Sequence, residues 1–119
     1  MSRVDDLIEK LDAGIVPVYK DSRGRVNNFG RFAVKDLHVA SMWPGTARGN
    51  HSHGQAEVIS IIGGEGICEI EVSDELSGAT KIVRVGDSQE TYKINAGIKH
   101  TVRNTGNRKI YLVCFLMDI

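Results

Sequence analysis

A chain of 119 residues and 13.1 kDa is long enough to bury a hydrophobic core without disulfide or metal staples. Its 15 basic side chains are balanced by 15 acidic ones, which argues against a nucleic-acid binder and against a polybasic membrane-surface protein. The longest apolar run, residues 110–117, is far too short to span a bilayer, and the opening "MSRVDDLIEK" lacks the basic-then-apolar order of a signal peptide. A cytoplasmic protein is expected, with Cys68 and Cys114 as two reduced, buried thiols among apolar residues. Neither cysteine has the paired spacing of a zinc site.

The first element is expected to be a helix over residues 2–12. Ser2 is a candidate cap, Asp5 stands three residues on, and Val4, Leu7, Ile8 and Leu11 keep helical spacing, with Gly14 and Pro17 to stop it. "DSRGRVNNFG" (21–30) is a polar loop or hairpin, and "RFAVKDLHVASMW" (31–43) a long strand broken near Asp36. "EVISII" (57–62) and "ICEIEV" (67–72) flank Gly63, Gly64 and Gly66 and read as a tight hairpin. A second turn, "SDELSG", leads into "TKIVRV" (80–85), and short strands follow around 91–94, 100–103 and 109–117. Many short strands with glycine turns imply an antiparallel sandwich or barrel. No phosphate-loop motif is present, and "GGEG" joins two strands rather than opening a helix.

The chemistry concentrates in "RGNHSHGQAE" (48–57). Two of the chain's four histidines, His51 and His53, stand one residue apart, and Glu57 follows. In an extended segment residues 51, 53 and 57 share parity and face one side. Imidazole and carboxylate suit a borderline divalent ion such as Zn, Fe, Mn or Ni. His100 opens a later strand that an antiparallel barrel can lay against the first, completing a three-histidine, one-carboxylate set. An isolated His-x-His is also a common solvated loop, and His38, with no partner in sequence, reads as a surface or packed strand histidine.

At this point the sequence resembles the cupin superfamily. Gly45-x5-His51-x-His53-x3-Glu57-x6-Gly64 is similar to its first motif at every fixed position. Asn95-x-Gly97-x2-His100-x3-Asn104 is similar to the second, with Asn95 where proline is usual and a longer gap after Gly86. The resemblance implies an all-β, double-stranded β-helix (jelly-roll barrel): one cupin domain over 1–119, with the helix and arm in 1–30 and the barrel in 31–119. It implies a divalent metal held by His51, His53, Glu57 and His100. "DSRG" (21–24) followed by "ARGNHSH" (47–53) is also similar to small sugar-nucleotide cupins: dTDP-4-dehydrorhamnose 3,5-epimerases, dTDP-4-keto-6-deoxyglucose 3,4-ketoisomerases, and the cupin half of a capsular polysaccharide reductase.

In the epimerases and ketoisomerases histidine serves as a base, so His51 and His53 stand between two jobs. A base must be free and titrate near neutrality, whereas a ligand is neutral and committed to its ion. Arg48 is the natural substrate contact, able to grip a diphosphate or carboxylate bidentately; Arg23 is a weaker candidate. Tyr92 and Tyr111 are possible phenol acids, although strand tyrosines more often pack. Three functions therefore stand open. The first is isomerisation or epimerisation of a nucleotide-linked keto-sugar in surface polysaccharide biosynthesis, with His51, His53 and Arg48 as catalytic candidates. The others are a small non-haem metal dioxygenase and a non-catalytic small-molecule-binding cupin. An edge-rich barrel with a leading arm suggests a homodimer.

Overall fold

The computed structural model describes residues 7–12, 18–29, 31 and 33–117. Among these the protein is all-β, with no helix. Eleven strands form three antiparallel sheets. A five-stranded sheet runs in the order β1 (Ile8–Lys10), β9 (Gln89–Ile94), β6 (Glu57–Ile62), β11 (Ile110–Met117), β4 (Val34–Met42). A four-stranded sheet follows the order β5 (Ala47–His51), β10 (Lys99–Asn104), β7 (Cys68–Ser73), β8 (Thr80–Arg84). The third is a separate two-stranded hairpin of β2 (Tyr19–Asp21) and β3 (Gly24–Val26).

Alternating side chains explain why the two large sheets share one core. In β7, Cys68, Ile70 and Val72 are buried while the residues between them are partly exposed. Ile59 and Ile61 of β6, Tyr92 and Ile94 of β9, and Ile110, Leu112 and Cys114 of β11 face the same interior from the other sheet. Most inward positions carry an aliphatic or thiol group, with Glu57, Glu90, His100 and Asn104 as polar exceptions, so burial favours one register over a slip that would turn the apolar groups to solvent.

Three expectations are corrected. The helix expected over residues 2–12 is absent from its described part: Ile8–Lys10 is a strand paired with β9, Ile8 opposite Ile94. Residues 2–6 lie outside the described residues. A single short helix has little stability of its own, whereas β9 offers a free edge that this strand covers. Second, 57–62 and 67–72 do not pair as a hairpin; β6 lies between β9 and β11, and β7 between β10 and β8. The glycine-rich turn carries the chain from one sheet to the other. A Cβ on Gly64 would meet Ile61 Cγ2 at 2.7 Å and Cys68 Cβ at 2.9 Å, so only glycine allows the chain to pass that close to both strands. Third, residues 51, 53 and 57 do not share a strand, since β5 ends at His51 and β6 begins at Glu57. The break expected near Asp36 is a register shift: Leu116 faces Asp36 and Met117 faces Val34, leaving Lys35 as the extra residue. "DSRG" forms the β2–β3 turn, as the hairpin reading expected.

Candidate functional site

A cavity of about 250 Å³ opens between the two large sheets, bordered by their edge strands β4 and β5. His38, Arg48, His51, His53, Glu57, His100 and Cys114 all line it. The four expected metal-site residues are thus brought together, and Arg48 with them.

The local reason is a bulge. His51 stands opposite His100 and Arg48 opposite Val102, but the register shifts between them, with Asn50 unmatched. Arg48 and His51 are three residues apart and would face opposite sides of a regular strand. The extra residue restores both to the side of His100 and Val102, which are buried. The backbone there is left-handed, with φ 110° at Gly49 and 64° at Asn50. A Cβ on Gly49 would lie 2.7 Å from the His100 carbonyl oxygen, so the close strand approach needs glycine. Arg48 remains exposed, its Nε donating to the Ser41 carbonyl across the cavity mouth at 3.3 Å. His53 sits in the loop between β5 and β6, where the Gly97 amide donates to its carbonyl at 2.8 Å.

The imidazoles of His51, His53 and His100 form a tight group. Their ring centroids are 4.6, 5.1 and 5.6 Å apart, and their ligating atoms all fall within 4.8 Å of one another. Glu57 lies beneath them, 5% exposed, its Oε2 at 3.0 Å from His53 Nε2 and 3.2 Å from His100 Nε2. Despite that nearness the buried Oε2 has no hydrogen-bond partner. His100 Nδ1 lies 3.2 Å from the Ile98 carbonyl. A carbonyl can only accept, so Nδ1 carries a proton, and in the neutral ring the Nε2 lone pair points at Glu57. A lone pair facing a carboxylate oxygen needs a cation or a proton between them.

For Glu57, His53 and His100 that arrangement fits a divalent metal. Ligand atoms bonded at about 2.1 Å to one ion stand roughly 3.0–3.4 Å from each other, close to the contacts of Glu57 Oε2 with the two rings. The backbone carbonyl on His100 Nδ1 is the outer partner that commonly fixes the tautomer of a ligating imidazole.

Without a metal the electrostatics are mutual. Burial raises the Glu57 pKa, but close contact with His100 and the nearby His53 outweigh it and hold the carboxyl below its usual range. Burial also works against charge on His100, yet Glu57 holds that imidazole above the ordinary histidine value. His53 moves the other way, lowered chiefly by burial although Glu57 opposes the shift.

Sequence reasoning missed two cavity residues. His38, read as having no partner, lines the wall from β4 directly opposite Cys114 of β11. Only the pairing of distant strands, which no local pattern reports, brings them to the site. Conversely, the tyrosines and Arg23 do not line this cavity. Tyr92 is buried with its hydroxyl donating to Glu90, Tyr111 is exposed beside Lys109, and Arg23 pairs with Asp21 at 2.7 Å in the hairpin. A larger cavity of about 360 Å³ lies at the opposite edge, between β8 and the β1–β9 pair. Its buried carboxylate, Glu90, is already hydrogen-bonded by Tyr92, Lys10 and the Gly86 amide. Cys68 and Cys114 are both free and buried.

A histidine–glutamate cluster in the cleft between two antiparallel sheets defines the class. The chain belongs to the cupin family: the family description "Cupin domain" matches residues 38–116, more than half of it. Among curated proteins no sequence matches. Among solved structures, the chain is similar to the sugar 3,4-ketoisomerase QdtA of Thermoanaerobacterium thermosaccharolyticum in complex with TDP. The TM-score is 0.69 at 15% identity, covering 95% of this chain and 82% of that one. It is similar to the dTDP-6-deoxy-D-glucose-3,5-epimerase RmlC of Legionella pneumophila Philadelphia 1 in complex with dTDP-4-keto-L-rhamnose, at TM-score 0.73 and 15% identity, covering 96% and 68%. The capsular polysaccharide assembling protein CapF of Staphylococcus aureus is a third, at TM-score 0.62 and 20% identity; the match covers 88% of this chain and 31% of CapF. At these identities the likeness is one of fold.

Proposed function

We propose that the chain is a metal-binding enzyme that isomerises or epimerises a keto-sugar carried on a nucleoside diphosphate. The observation that carries this reading is the buried Glu57 Oε2, without a hydrogen-bond partner, facing two imidazoles in a cavity whose mouth holds Arg48. His51, His53, Glu57 and His100 would hold a divalent ion, Zn, Fe, Mn or Ni. A bound ion of this kind polarises a carbonyl and eases loss of the neighbouring proton. The chain's own part is to orient and to exclude water. The Ile98 carbonyl fixes the His100 ring, and the aliphatic walls, including Ile59, Val102 and Leu112, keep the floor dry. The cavity, about 250 Å³, is below the roughly 300 Å³ at which ligand pockets usually begin. It suits one sugar ring, with the diphosphate outside against the Arg48 guanidinium.

The ketoisomerase and the epimerase whose folds this chain shares are described with TDP and with a dTDP-keto-sugar, which supports a nucleotide sugar over other keto compounds. The likeness to CapF supports a place in surface polysaccharide biosynthesis.

One observation favours a second reading, catalysis without metal. Separations of 3.0 and 3.2 Å are also hydrogen-bond distances, so Glu57 could steady a protonated ring while another histidine takes the substrate proton. The test is solvent deuterium exchange into a dTDP-4-keto-6-deoxy sugar, followed by NMR, with metal-loaded and chelator-treated protein. Exchange that needs the metal supports the first reading, and exchange that survives chelation supports the second. No exchange with any nucleotide keto-sugar would sink both. Arg48→Ala should raise the KM about 10- to 100-fold, the loss of one charge-assisted contact. We also propose a homodimer, because β4 ends its sheet with Leu37 and Val39 exposed at 56% and 67%. A monomer in sedimentation would refute that.

A further inference from the structure

The cavity has a second side that the three clustered imidazoles do not use. His38 and Cys114 stand directly opposite each other on β4 and β11. Glu57 faces Leu116, so it is a diagonal neighbour of Cys114 across the β6–β11 pair. The ligating atoms of His38, Glu57 and Cys114 all lie within 4.8 Å of one another. Cys114 is 3% exposed and Glu57 5%, while His38 reaches them from the open edge. Filling space asks only for an apolar group at position 114, and a buried carboxylate beside it is a poor neighbour for packing alone. A thiol, an imidazole and a carboxylate converging from three strands form a donor set for a borderline-to-soft ion.

We propose that His38, Glu57 and Cys114 form a second cation position, suited to Zn²⁺, which shares Glu57 with the imidazole cluster. A carboxylate has two oxygens, and Oε2 faces His53 and His100. Glu57 can therefore bridge, as carboxylates do between ions roughly 3.5–4 Å apart. The third ligand is a thiol that must deprotonate. As the metal–sulfur bond forms, the Sγ–H bond breaks and its proton leaves to solvent at the open His38 edge; the ion's charge drives this step. The inference goes beyond the proposed function, and this position requires no ion among the three imidazoles.

Titrating the metal-free full chain with Co²⁺ tests it, because cobalt bound to thiolate shows a sulfur-to-metal charge-transfer band in the near ultraviolet. Native mass spectrometry with Zn²⁺ counts the ions. The wild type should show the band and bind two ions. Cys114→Ser should lose the band and one ion, and Cys114→Ala is the second variant should serine disturb the core; melting by circular dichroism confirms folding. His38→Ala should weaken the band-forming event at least tenfold. His51→Ala, which touches only the imidazole cluster, should keep the band. If the cluster binds nothing, the wild type takes one ion with the band and Cys114→Ser takes none, so the proposed function loses its metal and this position stands. A wild type without the band overturns the inference. So does a Cys114 variant that binds as many ions as the wild type, or a band that disappears in His51→Ala.

Discussion

Gly49→Ala tests the claim that a bulge aims Arg48 and His51 into one cavity. At φ 110° a non-glycine residue is strained by about 1–3 kcal/mol. The new Cβ would also stand 2.7 Å from the His100 carbonyl oxygen and 3.3 Å from Thr101 Cα. Both are backbone atoms, so relief requires β5 and β10 to part, at about 1–3 kcal/mol more. The sum, about 2–6 kcal/mol, is a large share of a small domain's stability and lowers the Tm by about 10–30 °C. Parting the strands also moves His51 from its place opposite His100, so on the proposed function metal affinity should fall in calorimetric titration. Gly78→Ala is the control, with φ 76° but nothing within 4 Å of its Cβ. It should cost about 1–2 kcal/mol and leave metal binding untouched. If Gly49→Ala melts like Gly78→Ala and binds metal like the wild type, the bulge does not aim these side chains.

Other outcomes follow from the buried charges. In metal-free protein His100 is held above its reference value of 6.5, so its stabilisation is complete below about pH 6.5 and is lost as pH rises through the raised value. Glu57 is held below 4.5, so its contribution is present above about pH 4.5 and is lost as pH falls through the lowered value. His53, lowered by burial, opposes folding where it must take up a proton. Urea unfolding of the apo protein should therefore show an alkaline decline that Glu57→Gln lacks, with His100 and His53 titrating on opposite sides of 6.5 by NMR. The thiols of Cys68 and Cys114 are pushed up to about 12 by burial. Thiolate at pH 8 is then about one part in ten thousand, and alkylation should wait for unfolding; fast labelling of the native apo protein would contradict this. Tyr92→Phe removes a hydroxyl that donates to buried Glu90, and should cost about 1–3 kcal/mol in denaturant without changing metal affinity.

What the sequence revealed and what it hid divide along the range of the forces involved. The strands at 67–72 and 109–117 were legible between their turns, and His51, His53, Glu57 and His100 stood out because a motif fixes their spacing. Their geometry was not. Equal parity was expected to align residues 51, 53 and 57, yet a loop and a change of sheet separate them. The cluster assembles because β10 pairs with β5 while β6 enters from the other sheet. The helix over 2–12 failed where its described part pairs with β9, since a free sheet edge outweighs weak helical periodicity. His38 and Cys114 were invisible as a pair because 76 residues separate them in the chain and only the β4–β11 register joins them.

The contest between ligand and base can be settled among the three imidazoles, because the structure does not hold them alike. His100 is held at Nδ1 by the Ile98 carbonyl and faces Glu57 with Nε2, and His53 faces Glu57 with one nitrogen. His51 is exposed, and its neighbours within the cluster are the other two rings. An imidazole that leaves the ion to transfer a proton must reach substrate, which suits the exposed ring at the mouth better than the ring on the floor. On the proposed function, His100→Asn should therefore empty the metal and abolish turnover together. His51→Asn should retain metal at weakened affinity, yet lose kcat by the 10²–10⁴-fold typical of a missing acid–base group. The assay is metal content against kcat at saturating metal. If His51→Asn regains wild-type kcat once metal is restored, His51 is a ligand and nothing more, and the proton must be taken elsewhere in the cavity.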